Sequence, residues 1–463
     1  MEEHGIRKLA EFIHDLTWEQ LPDPVKETAA FRVLDLVSVA VGACEDPLVR
    51  QVAESYEPRV GSGECSVWGW KKKYPLSTAV MLNAMLAHTL ELDDVHTASK
   101  THGSASLIPA AWNCAEYLGK SGKEFLLAVV CGYETVNRIG MAFGVSAHRN
   151  RGWHATATCG VFGCAAACGK LLNLSVDQIV SALGMAGTQS CGVWAFLGDG
   201  SSCKILHPAR AAANGLEAAF LAQAGMTGPE HILEAEDGGL LHAMSDGGDL
   251  SKVWEGLGTV YEILNMDMKP YPCCRSAHCA VDCALELRDA VMAASGQTAD
   301  EQWDTDSVAG IEVSTYLVGY KQCAVSEGCL RPRTVLDAKF STPYSVAAAL
   351  IYGKVTMAEF EPQIVENPAV QKLLRKVRVI PEERFTEQYP KHWGCSRRII
   401  MKDGMVIETE TNDPAGSQAK PLAREQVLGK AQGFLKAEYP ETAQSVMEDI
   451  LNLAEMSRMP VWG

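Results

Sequence analysis

The sequence predicts a mainly α protein, built from a large all-helical domain and a smaller α+β domain. Three observations carry this. Apolar residues recur at three- and four-residue steps through about the first 265 positions. Strand-like alternation and an Asp-Gly turn are confined to about 270–412. Helical periodicity then returns to the end. At 463 residues the chain exceeds what one core usually organises. The expected domains are 1–268 with 413–463, and 269–412.

Taken in order, residues 5–15 place Ile6, Leu9 and Ile13 on one face. After Pro24, Val25, Ala29, Val33, Leu36 and Ala40 form a buried stripe. Asp46-Pro47 opens a helix through about Tyr56, by side-chain capping and a fixed φ. Residues 65–70 read as a strand or an extended linker. Ser77 caps a helix expected to run to Asp93-Asp94. Further helices are expected from about Ser106 to Leu118 and from Lys123 to Phe143. Residues 153–170 are so rich in Ala, Gly, Cys and Thr that a helix at the bundle centre is expected, where small side chains allow close approach. Helices follow at 175–187 and 209–225. Past the proline-punctuated stretch from Lys269, a helix covers His278–Ala293, strands cover 307–316, 377–383 and 396–411, and helices cover 343–352 and 356–361. Asp403-Gly404 turns the last strand pair.

The formal net charge of −16 argues against non-specific nucleic-acid binding. No run approaches the ~18 apolar residues of a membrane span. The first residues read as an amphipathic helix rather than a secretory leader, and with 16 cysteines this predicts a cytoplasmic protein with free thiols. Cys159/Cys164/Cys168 and Cys274/Cys279/Cys283 share a spacing, which leaves an iron–sulfur hydro-lyase as a competing reading.

The chemistry-bearing stretch is His88–Pro109, where Glu91, Asp93, Asp94, His88, His96, Lys100 and His102 crowd together. Its bland reading is a helix end followed by a cap. Four other stretches bear on it. His154 stands in Arg151-Gly-Trp-His at the start of the small-residue helix, where a positive helix end keeps an imidazole neutral. Lys204, His207 and Arg210 follow a Gly/Ser turn at three-residue steps, a plausible carboxylate cradle. Lys269, Arg275 and His278 lie in KPYPCCRSAH, and Lys339 and Tyr344 in KFSTPY. Lysines and histidines at helix beginnings, in small or apolar surroundings of an acidic protein, suit a substrate with two or three carboxylates. The chemistry expected there is proton transfer next to a carboxylate. Dinucleotide, nucleophile-elbow and H-E-x-x-H motifs are all absent, so no organic cofactor or metal is expected. A non-catalytic helical binding protein is the remaining alternative.

At these residues the sequence resembles the MmgE/PrpD family, which includes 2-methylcitrate dehydratase, cis-aconitate decarboxylase and iminodisuccinate epimerase. The matching pieces are HTLELDDVHTASKTHGSASLIPA, RGWHATATCGVFG, SSCKILHPARAAANGLEAAFLAQAGMTGP, KPYPCCRSAH and DAKFSTPYSVAAAL. The resemblance implies an all-helical domain, an α+β lid, a homodimer and a lyase that needs no cofactor. It implies catalytic roles for Asp93, His102, His154, Lys204 and Lys269. His96, Lys100, His207, Arg275, His278 and Tyr344 are the substrate-contact candidates. The expected activity is that of a 2-methylcitrate dehydratase-like hydro-lyase of propionate metabolism. The alternatives are a cis-aconitate decarboxylase-like carboxy-lyase and an iminodisuccinate epimerase-like isomerase. The chain departs from the family pattern at Val95, where Thr is usual, and at His102-Gly103, where His-Pro is usual. The Asp94–His102 interval differs by a residue from the decarboxylases, and the longer insertion of the dehydratases is missing. These departures bear on the choice of substrate.

Overall fold

The structure is a computed structural model that describes residues 5–294, 303 and 305–462. The chain divides into two compact units. One runs to Trp194, resumes over Cys203–Asp267 and again from Ala423; the other comprises Ala195–Ser202 and Met268–Leu422.

The first unit is helical. Its elements include α1 (Gly5–Asp15), α2 (Asp23–Gly42), α3 (Pro47–Val60), α4 (Leu76–Thr89), α5 (Ser104–Leu118), α6 (Gly122–Phe143), α7 (Val145–Asn150), α8 (Ala155–Thr158), α9 (Gly160–Leu171), α10 (Val176–Thr188) and α11 (Leu206–Gln223), with the C-terminal helices Arg424–Glu438 and Ala443–Leu451. The predicted stripe of α1 is buried, and Asp46 caps α3 by accepting from the Leu48 and Val49 amides. Ser121 and Glu124 form the capping box that starts α6.

Two expectations change. The helix read from Ser77 starts at Leu76 after Pro75 and stops at Thr89, short of the aspartates. It stops because Glu91 adopts φ 59°, a left-handed conformation that no α-helix continues. The 153–170 segment is two helices, α8 and α9, broken at Cys159. Residues 65–70 form no strand; Cys65 makes only an isolated bridge with Tyr74.

Helix α9 is buried along nearly its whole length and packs on α5, α6 and α11. Glycine permits this. A Cβ on Gly163 would lie 2.9 Å from the Gly132 carbonyl oxygen of α6, and one on Gly215 of α11 would lie 2.5 Å from the Val161 carbonyl oxygen. The small-residue composition thus sets the backbone approach at the centre of the bundle. A two-residue antiparallel pair, β1 (Val95–His96) with β2 (Met266–Asp267), closes the unit beneath α2. There, Arg32 donates to the Met266 carbonyl.

The second unit holds a four-stranded sheet in the order β4-β3-β5-β6: β3 Val308–Thr315, β4 Val377–Pro381, β5 Cys395–Met401 and β6 Val406–Thr411. β3 runs parallel to β4 and antiparallel to β5. The β5–β6 hairpin turns where Asp403-Gly404 predicts, with Gly404 at φ 91° and Asp403 accepting from the Met405 amide. The inward residues of β3 and β5 pack with the helices His278–Ala294 and Thr342–Tyr352 into one core. The unit extends past the expected boundary at 412, because Met268 N–H bonds the Gly416 carbonyl and Asp282 accepts the Ala415 amide. Among the described residues no helix is long and apolar enough to cross a membrane.

Candidate active site

The left-handed Glu91 turns the chain sharply after α4, and a second left-handed residue, Lys100 at φ 58°, closes the loop that follows. Non-glycine residues in this region cost ~1–3 kcal/mol each and cluster at functional sites. Between them the aspartates meet different partners. Asp94 Oδ1 accepts the Ser104 amide and hydroxyl, 3.2 and 2.6 Å away, while Oδ2 accepts the Tyr133 hydroxyl at 2.6 Å. It satisfies the start of α5, whose N–H groups lack helical partners. Burial pushes its carboxyl up to about 6, against the opposing pull of Arg32, Ser104 and Tyr133.

Asp93 faces imidazoles. Its Oδ2 lies 2.8 Å from His88 Nδ1 and 3.2 Å from His102 Nδ1. His102 Nδ1 is also 2.7 Å from the Asp94 carbonyl oxygen. A carbonyl only accepts, so His102 Nδ1 carries a proton, and Nε2 is the nitrogen that exchanges one. The His102 side chain is 13% exposed, whereas His88 and Asp93 are fully buried.

His154 and His207 complete the histidine cluster, with their Nδ1 atoms 2.8 Å apart. One must donate and the other accept, so the two rings hold complementary tautomers. The His88 ring lies 5.5 Å from that of His102 and 6.2 Å from that of His154. Burial first, then His207 and Lys204, hold His154 well below the usual imidazole range. Burial with His88 and Lys204 brings His207 down to about 4. The neutrality expected of His154 therefore has a different cause. It caps a four-residue helix of negligible dipole, and desolvation with neighbouring cationic groups does the work.

Lys204 sits in the turn Ser202–Ile205 before α11, 2% exposed, and its ammonium pairs with Glu91. Three-residue spacing brings His207 to the same cluster, while Arg210 is exposed. The carboxylate that meets Lys204 is thus Glu91, which the sequence alone assigns to a helix end.

Among the expected contact residues, His96 and Tyr344 are structural instead. His96 is fully buried and uses both nitrogens internally, on Ser99 Oγ at 2.8 Å and Glu262 Oε2 at 3.1 Å. Burial would raise the Glu262 carboxyl, but the His96 hydrogen bond and charge hold it down at about 2. Lys100 is buried. Tyr344 lies in the core of the second unit, donating to the Glu359 carbonyl.

In that second unit, Lys269 is fully buried and Arg275 nearly so. One Arg275 Nη donates to the Ala415 carbonyl at 2.7 Å and to His278 Nδ1 at 3.0 Å. His278 Nε2 lies 3.2 Å from the Cys273 carbonyl, which fixes the tautomer and engages both ring nitrogens, against a ligand-contact role.

The cysteine triplets are core residues. Cys159, Cys164 and Cys168 are buried, and burial pushes the Cys159 and Cys164 thiols up to about 12. Among the described residues, Cys44, Glu45 and Glu438 form the one group spaced to ligate a metal, and neither triplet is in it. This geometry does not favour the iron–sulfur reading.

Comparison with known proteins adds the following. Residues 7–252 match the MmgE/PrpD N-terminal domain and residues 271–455 the MmgE/PrpD C-terminal domain. A cis-aconitate decarboxylase-like protein of Aspergillus oryzae is 29% identical over 88% of this chain and 86% of its own. The cis-aconitate decarboxylase of Aspergillus terreus is 27% identical over 96% of this chain and 92% of its own. The 2-methylcitrate dehydratase of Cupriavidus necator is 24% identical over 63% of this chain and 60% of its own.

Proposed function

The chain belongs to the MmgE/PrpD family and is a lyase of that family, and on that premise we propose that it decarboxylates a small unsaturated tricarboxylate of the cis-aconitate type. The observation that carries this choice is coverage. The decarboxylase relatives align along almost the whole chain, and the dehydratase relative along 63% of it. The decarboxylase reading therefore takes precedence over the 2-methylcitrate dehydratase reading.

The chemistry needs two things. When the C–CO2⁻ bond breaks, its electron pair forms a new C=C. The pair of the old double bond then moves onto the carbon beside another carboxylate, as an enolate charge. A cation must stabilise that charge, and an acid must deliver a proton to the carbon. Lys204 supplies the cation. An ammonium has three N–H donors, so Lys204 binds a substrate carboxylate while Glu91 holds it in place. His102 supplies the proton through Nε2, and Asp93 stabilises the imidazolium. His154 and His207, kept neutral, donate hydrogen bonds without adding charge.

The test is a panel of cis-aconitate, citrate, 2-methylcitrate and an imino diacid, followed by proton NMR and carbon dioxide release. Carbon dioxide from cis-aconitate, with one solvent deuteron in the product, is the expected result. Water loss from 2-methylcitrate with no carbon dioxide from cis-aconitate would restore the dehydratase reading.

A further inference from the structure

We infer that His88 is a positioning residue that holds the Asp93 carboxylate through one imidazole N–H and so sets the proton affinity of His102. Its kinetic consequence rests on the lyase mechanism above; its effect on His102 does not.

Asp93 Oδ2 is shared by two imidazole nitrogens, His88 Nδ1 at 2.8 Å and His102 Nδ1 at 3.2 Å. A carboxylate only accepts, so His88 Nδ1 donates to it, while His102 Nδ1, whose proton goes to the Asp94 carbonyl at 2.7 Å, faces the same oxygen at ion-pair distance. The shorter and fully buried bond is the one to His88, on the last turn of α4. An aspartate serving one imidazole concentrates its charge on that ring and raises its basicity. Shared with a second donor, the same oxygen stabilises the His102 imidazolium less. His88 also fixes where the oxygen stands, because α4 is buried almost throughout. Its Nε2 is buried without a hydrogen-bond partner. That is the state left when Nδ1 holds the proton, and it marks Nδ1 as the nitrogen whose bond the fold has kept.

The other groups facing this pair are few. Glu91 and Asp94 come from the same loop. His154 caps α8, Lys204 lies in the 202–205 turn and His207 is on α11. Behind Asp94 stand Arg32 of α2 and Tyr133 of α6. All are retained when His88 alone is changed, so a difference between variants reports His88.

The experiment uses the full chain labelled with ¹⁵N-histidine, with His102 assigned by its loss in His102→Ala. His102 is titrated by NMR without substrate in the wild type, His88→Leu, His88→Asn and His88→Gln. Asn places its amide N–H where Nδ1 stood; Gln places its own where Nε2 stood. The expected result is a His102 midpoint raised by about one pH unit in His88→Leu and His88→Gln, the size of shift a lost hydrogen bond produces. His88→Asn should stay near the wild type. A midpoint that is unmoved or lowered in Gln, or equal in Asn and Gln, overturns the inference. If the Leu variant fails to fold by circular dichroism, the Asn–Gln comparison decides alone. The low-pH limb of kcat/KM on cis-aconitate should follow the NMR midpoint. NMR midpoints that move as expected in a protein inactive on cis-aconitate leave His88 in place and refute the decarboxylase reading instead.

Discussion

Replacing Lys204 with Met should destabilise the protein far more than removing an ordinary surface cation. The Lys204 and Glu91 side chains are each 3% exposed, so solvent neither screens their attraction nor rescues a charge left behind. Breaking a buried pair by removing one partner costs about 3–5 kcal/mol. At about 1 °C per kcal/mol for a chain of 463 residues, Tm should fall by roughly 3–5 °C in Lys204→Met. The exposed pair Lys120–Glu124, with side chains 17% and 47% exposed, is the internal control. Pairs of that kind contribute about 0.3–0.5 kcal/mol, so Lys120→Met should move Tm by about 1 °C or less. The double variant Lys204→Met/Glu91→Gln removes both buried charges and should recover at least half of the loss. Thermal unfolding of the four corners of the cycle, at low and high salt, is the assay. An additive cycle, a Lys204→Met loss below about 2 °C, or a loss abolished by salt would refute the buried-pair account.

Two further predictions follow from the same loop. His102→Ala should lower turnover at least ~10²-fold with little change in Tm, measured by carbon dioxide release from cis-aconitate and by calorimetry; near-normal turnover would remove His102 as the acid. Asp94 has a folded pKa of about 6, raised by burial above its unfolded value of about 3.9. The folded state therefore binds the proton more tightly, and this group's contribution to stability is lost as pH rises from about 4 to 6. Asp94→Asn lacks that titration. Its Tm relative to wild type should rise across the same window, by the equivalent of roughly 3 kcal/mol. A difference that is flat with pH would show that Asp94 does not titrate there.

Much of this protein is set locally and was legible in the sequence. The stripe Ile6, Leu9, Ile13 becomes the buried face of α1, Asp46 caps α3, and Asp403-Gly404 turns the β5–β6 hairpin. Periodicity, capping and turn chemistry act over a few residues, so spacing reveals them. The small residues of 153–170 announced a central helix because close approach requires their size, whatever the partner. The motifs at Asp93, His102, His154 and Lys204 were legible too, and the first unit brings all four into one cluster.

Tertiary structure decided which atoms meet. Glu91 was indistinguishable from a helix-end acid until the fold brought it to Lys204, 113 positions later. His96 shared a loop with His102, yet Glu262, 166 positions away, takes its second nitrogen and makes it structural. Tyr344 opened a helix beside a lysine, and its hydroxyl was consumed by Glu359 inside a core. The assignment of His88 turns on one 2.8 Å contact with Asp93. The physical reason is the same in each case. A titratable group's role depends on its desolvation and on the donor or acceptor nearest it. Both are set by chain segments that sequence spacing does not bring together.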